Sequence, residues 1–258
     1  MSFVDRYGPW AVVTGAAAGV GLAFVEELHA RGLRVVMVDV DPAVVEVAEQ
    51  LAGPTRTCIV DVSQEDWIGV LDDACAGLEI GLAVANAGLG FNGWYLDMPA
   101  ARRRAVIDVN CWATTELASW ALPSMVDRGR GGFVATSSGS VLAGTAGVAL
   151  YSATKAFAVN LVEAVGWELR DTGVHVQVIV APSMDTPGFA RGGADRSKML
   201  VPPVEPRAVI ARGLDALALG GRWLADDGLE FAAAVERRER VDMISQATVA
   251  MFPQLLER

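Results

Sequence analysis

"AVVTGAAAGVGLAFVEEL", Ala11 to Leu28, decides how the rest of the chain is read. It opens with apolar, β-branched residues that suit a buried strand. From Gly19 onward its apolar residues recur at helical spacing. Gly15, Gly19 and Gly21 mark the turn between the two. Glycine lets a backbone turn tightly and lie close to a ligand. The helix start behind it offers free N–H groups and a positive dipole end. A glycine triplet alone is common. One that follows the first apolar strand and opens an amphipathic helix is the setting that holds a dinucleotide pyrophosphate. The expected contacts are Gly15, Ala17, Gly19, Val20 and Gly21.

The same alternation runs on through the chain. Strands are expected at Trp10–Thr14, Arg34–Asp39, Thr57–Val60, Leu82–Ala85, Gly132–Thr136 and Val174–Val180. Their runs are apolar without clean alternation, as in strands buried on both faces. Helices are expected near 19–31, 42–52, 64–78, 99–128 and 151–171. Strands alternating with helices predict an α/β fold, a doubly wound parallel sheet of Rossmann type in three α/β/α layers. No linker or repeat interrupts residues 1–258, so a single domain is expected. Residues 184–206 are rich in Gly and Pro and read as a long functional loop over the substrate. A helix near 206–219, a short last strand at Arg222–Ala225 and a helical tail from about 229, within residues 226–258, complete the expectation.

Asp39 ends the second strand, 24 residues after Gly15. A carboxylate there accepts hydrogen bonds from both ribose hydroxyls and repels a 2′-phosphate. Neither Ala18 nor Val40 offers that phosphate a basic partner, which favours NAD over NADP. Asp41, before Pro42, suits a helix N-cap and leaves Asp39 free.

Bulk composition narrows the function further. The 258 residues are 52% hydrophobic and 20% charged, enough for a large core. A net charge of −10 argues against nucleic acid as a partner. No apolar run reaches a membrane span, and the N-terminus shows no signal-peptide pattern. Cys58, Cys75 and Cys111 lack metal-ligand spacing, and His29 and His175 are isolated. No metal site is expected, and reduced cysteines point to the cytoplasm.

Tyr151 and Lys155, in "YSATK", stack on one helix face at i,i+4. The chain has only two lysines and otherwise uses arginine. A free tyrosine, with a pKa of about 10, is a poor base at neutral pH. A neighbouring ammonium stabilises the phenolate, and lysine, unlike arginine, also joins a proton relay. Ser138 lies just past the strand "GGFVATSS", where a hydroxyl can hold a substrate oxygen beside the tyrosine; Ser137 is the rival.

"TGAAAGVG", "ANAG", "SS" and "YSATK", in this order, resemble the short-chain dehydrogenase/reductase family over about residues 8–190. The resemblance implies a nicotinamide cofactor and hydride transfer between it and an alcohol or ketone. It implies that Ser138 positions the substrate oxygen and Tyr151 is the general acid/base. Lys155 lowers the tyrosine pKa and binds the nicotinamide ribose. Asn110, in "DVNCWATTEL", matches a helix asparagine that holds a proton-relay water. Asp61 and Val62 match the adenine-contacting pair, and Asn86, Ala87 and Gly88 the loop behind the adenosine ribose. In "APSMDTPGF", Pro182 keeps its place, Ser183 replaces a glycine and Thr186 comes one residue early, still near the nicotinamide amide.

The segments 89–96, 140–150 and 184–204 are expected to line the pocket. They are mainly apolar or small, which suits an alicyclic, terpenoid, steroid-like or acyl substrate. Loop arginines Arg191 and Arg196 are candidates for an anionic tail. By analogy with relatives, the helices near 99–128 and 151–171 pair subunits into a homodimer or homotetramer. Two alternatives share the scaffold: an epimerase or dehydratase, and a non-catalytic nucleotide sensor. The glycine spacing opposes the first. The joint presence of Ser138, Tyr151 and Lys155 opposes the second.

Overall fold

The structure, a computed structural model, describes residues 1–199, 201–225 and 234–256. Seven strands form one parallel sheet in the order β3-β2-β1-β4-β5-β6-β7. They are β1 Trp10–Thr14, β2 Arg34–Asp39, β3 Thr55–Ile59, β4 Ile80–Ala85, β5 Gly131–Ser138, β6 Val174–Ala181 and β7 Gly221–Leu224. The expected α/β fold is thus present, and each strand lies within two residues of its predicted bounds.

The sheet is buried on both faces, which is why its strands lack alternation. One core gathers Val12, Val36, Val38, Phe133 and Val178 beneath α4 (Trp67–Ala74), α6 (Ala113–Arg128) and α7 (Ala149–Glu168). The other gathers Val13, Val35, Met37 and Ile179 beneath α2 (Gly19–Ala30), α3 (Val44–Glu49) and α9 (Pro206–Asp215). Trp67, Phe24 and Phe133 are the largest fully buried side chains.

Three features depart from the sequence reading. A short helix α1 (Phe3–Tyr7) precedes β1, started by a capping box between Ser2 and Asp5. The helix expected over 99–128 is two helices, α5 (Ala100–Ile107) and α6, joined by a π-helical turn at Asp108–Trp112. The 184–206 loop is ordered by the short helix α8 (Pro187–Arg191), a 3₁₀ turn at Arg196–Lys198 and a bridge from Met184 to Val204. The start of the tail near 229 lies outside the described residues. Its later part forms the last helix, α10 (Arg237–Met251), and a 3₁₀ turn at Pro253–Leu255. His175 is a satisfied histidine, held between the Tyr7 hydroxyl at 2.6 Å and the Arg6 guanidinium at 2.9 Å. Among the described residues, no helix is long and apolar enough to cross a membrane.

Glu27 locks α2 to α9. It is buried between Arg31 and Arg207, with Arg207 Nε at 2.6 Å, and Arg31 reaches Asp215 at 2.6 Å. Burial works to raise the Glu27 pKa, but the two guanidinium groups outweigh it and the net shift is downward. A depressed carboxylate adds stability above its unfolded pKa and loses it as pH falls through the folded pKa. Glu27→Ala breaks both ion pairs, but Arg31 keeps Asp215 and Arg207 is half-exposed, so the expected cost in urea unfolding at pH 7 is about 1–2 kcal/mol. Its gap to wild type should narrow as the pH is lowered below the ordinary carboxylate range.

Candidate active site

In a doubly wound sheet, ligands bind beyond the carboxyl ends of the strands, where strand order reverses. Here that point lies between β1 and β4. Thr14 ends β1, and its Oγ1 accepts from Asn86 N at 3.0 Å and Ala87 N at 3.1 Å. It donates to Val84 O at 3.3 Å. Asn86 answers with Nδ2 donating to Thr14 O at 2.9 Å and Gly15 O at 3.3 Å. The predicted Asn86–Gly88 loop and the glycine turn are therefore one unit.

The glycines meet the requirement that their spacing suggested. Gly15 and Gly19 adopt φ of +68° and +58°. A Cβ on Gly21 would lie 1.9 Å from Gly15 O, so only glycine permits the turn. Asp39 Oδ2 accepts from Ala17 N at 2.8 Å, and Oδ1 accepts from Asp41 N at 3.0 Å. The carboxylate thus ties the glycine turn to the end of β2 and keeps further acceptor capacity outward. Asp41 is not the N-cap expected: α3 begins at Val44 with Ala43 as N-cap and no side-chain cap. Asp41 Oδ1 instead takes the N–H of Ala43 at 2.9 Å in the turn before it, while Asp39 is engaged rather than free. Thr186, from the far side, approaches so closely that a Cβ on Gly19 would lie 3.2 Å from it. Its Oγ1 also caps α8 through Phe189 N at 3.0 Å. Pro182, just past β6, opens the segment that carries it. Asp61, just beyond β3, accepts from Ser63 N at 2.9 Å and Ser63 Oγ at 2.7 Å, which holds its carboxyl below the usual range. The neighbouring Val62 is buried in the core.

The end of β5 meets the first turns of α7 residue by residue. Ser138 lies close enough to the Tyr151 phenol to pull its pKa down, and it accepts from Ser140 N at 3.3 Å. Ser137 points the other way, is buried, and donates to Lys155 O at 2.9 Å. Strand alternation thus separates the two rivals: Ser138 faces the tyrosine and Ser137 faces the helix backbone. Thr136 O accepts from Lys155 Nζ at 2.9 Å, and Thr136 Oγ1 donates to Asn86 Oδ1 at 3.3 Å. Lys155 is 7% exposed, and burial pushes it down to about 8, with Cys111 pulling the other way. Its Nζ lies 5.8 Å from the Tyr151 ring centroid. Burial also raises the Tyr151 phenol above its ordinary value, against the pull of Ser138. The downward shift expected from the lysine is not seen in this structure, where burial raises the phenol and Ser138 alone opposes it.

Asn110 is 2% exposed and sits in the π turn. Its Oδ1 accepts from Leu89 N at 2.8 Å, and its Nδ2 donates to Leu89 O at 3.0 Å and Thr154 Oγ1 at 2.9 Å. Thr154 in turn donates to Tyr151 O at 2.8 Å. Asn110 thereby joins the segment after β4 to the Tyr151 turn. A π turn at such a position matches the frequent siting of π-bulges at functional sites.

The three expected walls of the pocket do meet. Gly93 N donates to Gly147 O at 2.8 Å, and Asn92 Nδ2 donates to Gly192 O at 3.2 Å. Arg196 is engaged by Asp185 through two bonds of 3.1 and 2.5 Å and is not a free anion ligand. Sequence reasoning missed Thr14, Thr136 and Thr154, whose partners lie about 20 to 70 residues away or inside a motif read only for its Tyr and Lys. No group of His, Cys, Asp or Glu suited to a metal ion occurs among the described residues.

Sheet order, glycine turn and switch-point cleft define a Rossmann-type α/β protein. Residues 9–196 match the short chain dehydrogenase family, and the chain belongs to it. It is 34% identical over 182 residues to human very-long-chain 3-oxoacyl-CoA reductase, covering 67% of this chain and 58% of that one. It is 32% identical to mouse 17-beta-hydroxysteroid dehydrogenase type 3 over 72% of this chain and 63% of that one. The chain thus spans under two thirds of the length of these relatives. Among solved structures, a study of 7beta-hydroxysteroid dehydrogenase stereoselectivity provides one with TM-score 0.83 at 25% identity, covering 95% of this chain and 99% of that chain.

Thr154→Val removes the acceptor for Asn110 while keeping its shape. It is expected to cost about 1–3 kcal/mol in chemical unfolding, because a buried amide loses a partner. Thr154→Ser should restore most of that stability.

Proposed function

We propose that this chain is an oxidoreductase that moves a hydride between NAD(H) and an apolar secondary alcohol or ketone. The observation that carries the reading is the convergence of Ser138, Tyr151 and Lys155 beside a glycine turn that a single added Cβ would obstruct. The residues present fit a nicotinamide dinucleotide. Gly15, Ala17, Gly19, Val20 and Gly21 would hold its pyrophosphate, and Asp39 the adenosine ribose. Asp61 and Val62 would flank the adenine, with Asn86, Ala87 and Gly88 behind the ribose. Pro182 and Thr186 would hold the nicotinamide amide, and Tyr151 and Lys155 its ribose. When bound, the cofactor supplies or accepts the hydride.

The chain's own groups handle the proton and the geometry. Ser138 orients the substrate oxygen by a hydrogen bond and sets it against the Tyr151 hydroxyl. The raised phenol pKa keeps Tyr151 protonated at neutral pH, the form that donates to a ketone oxygen during reduction. Lys155, as an ammonium, stabilises the phenolate left behind. Asn110, firmly tied to Leu89 and Thr154, holds the position from which a relay water would resupply the proton.

Asp39 supports NAD over NADP. Its carboxylate is already fixed by two backbone N–H groups, so it cannot swing away from a 2′-phosphate without releasing the glycine turn. The apolar and small residues of 89–96, 140–150 and 184–204 support an acyl or steroid-like substrate, the kind named for both curated relatives. Residues 184–206 are read as the substrate loop of a single domain. Three unpaired cysteines suit a reducing cytoplasm. Ile107, Trp112, Phe157 and Trp167, exposed on α5 to α7 and the π turn, support a homodimer or homotetramer, which light scattering reads as a mass.

A panel of apolar secondary alcohols and ketones, followed by absorbance of the reduced cofactor, tests the reaction. Tyr151→Phe is expected to lower kcat by about 10²–10⁴-fold with NADH binding retained. Normal turnover by this variant would remove Tyr151 from the acid/base role. Reduction should decline as pH rises through about 8, where Lys155 gives up its proton. In the same panel wild type should prefer NADH, and Asp39→Ala with Val40→Arg should favour NADPH. A wild-type preference for NADPH would overturn the cofactor assignment.

A further inference from the structure

Around the mouth of the cleft, four chain segments form a closed ring of contacts. Asn92 and Gly93 bond to Gly192 and Gly147, which joins the 89–96 wall to the two loops beside it. Among the described residues, no hydrogen bond joins those two loops to each other directly. The last helix closes the ring instead. Ser245 Oγ accepts from Ala146 N at 3.1 Å and donates to Gly144 O at 3.4 Å. Met251 O, at the end of α10, accepts from Asp195 N at 2.7 Å. Leu255 is 2% exposed and packs against Gly147 so tightly that a Cβ there would lie 2.4 Å from its Cδ1. Thr248 is buried beside the same glycine, and Phe252 is buried as well.

Both loops need such a restraint. Gly147 and Gly193 hold φ of +79° and +72°, so each loop turns on a residue with wide backbone freedom. Met184 and Asp185 pin the base of the second loop to Val204, and Asp185 pins Arg196. These bonds order the loop internally but do not fix its distance from Gly147. Among the described residues, hydrogen bonds to the 89–96 wall and to the C-terminal segment do that, the latter with three backbone-directed bonds and a buried apolar plug.

We propose that Ser245, the Met251 carbonyl and Leu255 form a clasp that fixes the separation of the 144–147 and 187–198 loops and so determines which substrates fit the cleft. The clasp rests on the reading of this cleft as the alcohol or ketone site. Its members touch neither the reacting atoms nor the glycine turn. They are specificity-determining residues that act by holding the pocket walls. Loosening them removes binding shared by ground and transition states, which raises KM and spares kcat.

Leu255→Ala and, as a milder second variant, Ser245→Ala are compared with Leu256→Ala, whose side chain is 60% exposed. Trypsin reports directly on the second loop, because Arg191, Arg196 and Lys198 lie on it and are exposed. The clasp predicts cleavage at those three positions about fivefold faster or more in the two clasp variants, with other sites unchanged. NADH affinity should stay within twofold, and KM for the best ketone should rise about tenfold at nearly constant kcat. Leu256→Ala should match wild type in every readout. Unchanged cleavage, or uniform acceleration at all sites, would overturn the clasp. Faster loop cleavage with unchanged KM would overturn its role in specificity. Should no alcohol or ketone be turned over, the reaction assignment fails, and the trypsin pattern still decides whether the clasp exists.

Discussion

Everything at the site depends on how the ends of β1 and β4 are joined. The strand order reverses there, so a crevice opens between the two chains that leave the sheet. Backbone groups in that crevice have left the ladder and need other partners. Thr14 and Asn86 provide them, one through a hydroxyl that serves three backbone groups and the other through an amide that bonds two carbonyls. The glycine turn, the loop after β4 and, through Thr136, the end of β5 are held in one frame by this junction. Without it the glycines would keep their freedom but lose their aim.

The same logic governs the buried polar groups nearby. A lysine and an asparagine with almost no exposure are costly unless bonded. Lys155 is received by Thr136 O, and Asn110 by the backbone of Leu89 and by Thr154. Burial then shapes the chemistry. It favours the uncharged form of each titrating group, pushing Lys155 down and Tyr151 up, so the lysine becomes the more readily deprotonated of the two.

The glycine spacing, the apolar strands and "YSATK" were legible because each is a local pattern with a local physical cause. Strand bounds came out close because a parallel sheet buried on both faces leaves an unbroken apolar run. The π turn was not legible. Nothing in "DVNCW" differs from ordinary helix in period, and the partners that Asn110 bonds there, Leu89 and Thr154, lie 21 and 44 residues away. Helix α1 was missed because five residues give too little periodicity, although the Ser2–Asp5 capping box was there to be read. The roles of Thr14, Thr136 and Ser137 could not be told from strand composition, since threonine and serine at a strand end most often serve a turn.

By itself the sequence determined the class of fold, the turn that approaches a dinucleotide, and which tyrosine and lysine share a helix face. These follow from period, from the absence of a Cβ and from a four-residue spacing, all set within a few residues of chain. Tertiary structure alone decided that Ser138 and not Ser137 meets the tyrosine, that Arg196 is already paired, and that the last helix reaches back to Gly147 and Asp195. It also decided the sign of the Tyr151 shift, because desolvation depends on what packs around a group and not on what stands beside it in sequence. Contacts between residues a hundred positions apart are selected by the packing of whole layers, and no local pattern encodes them.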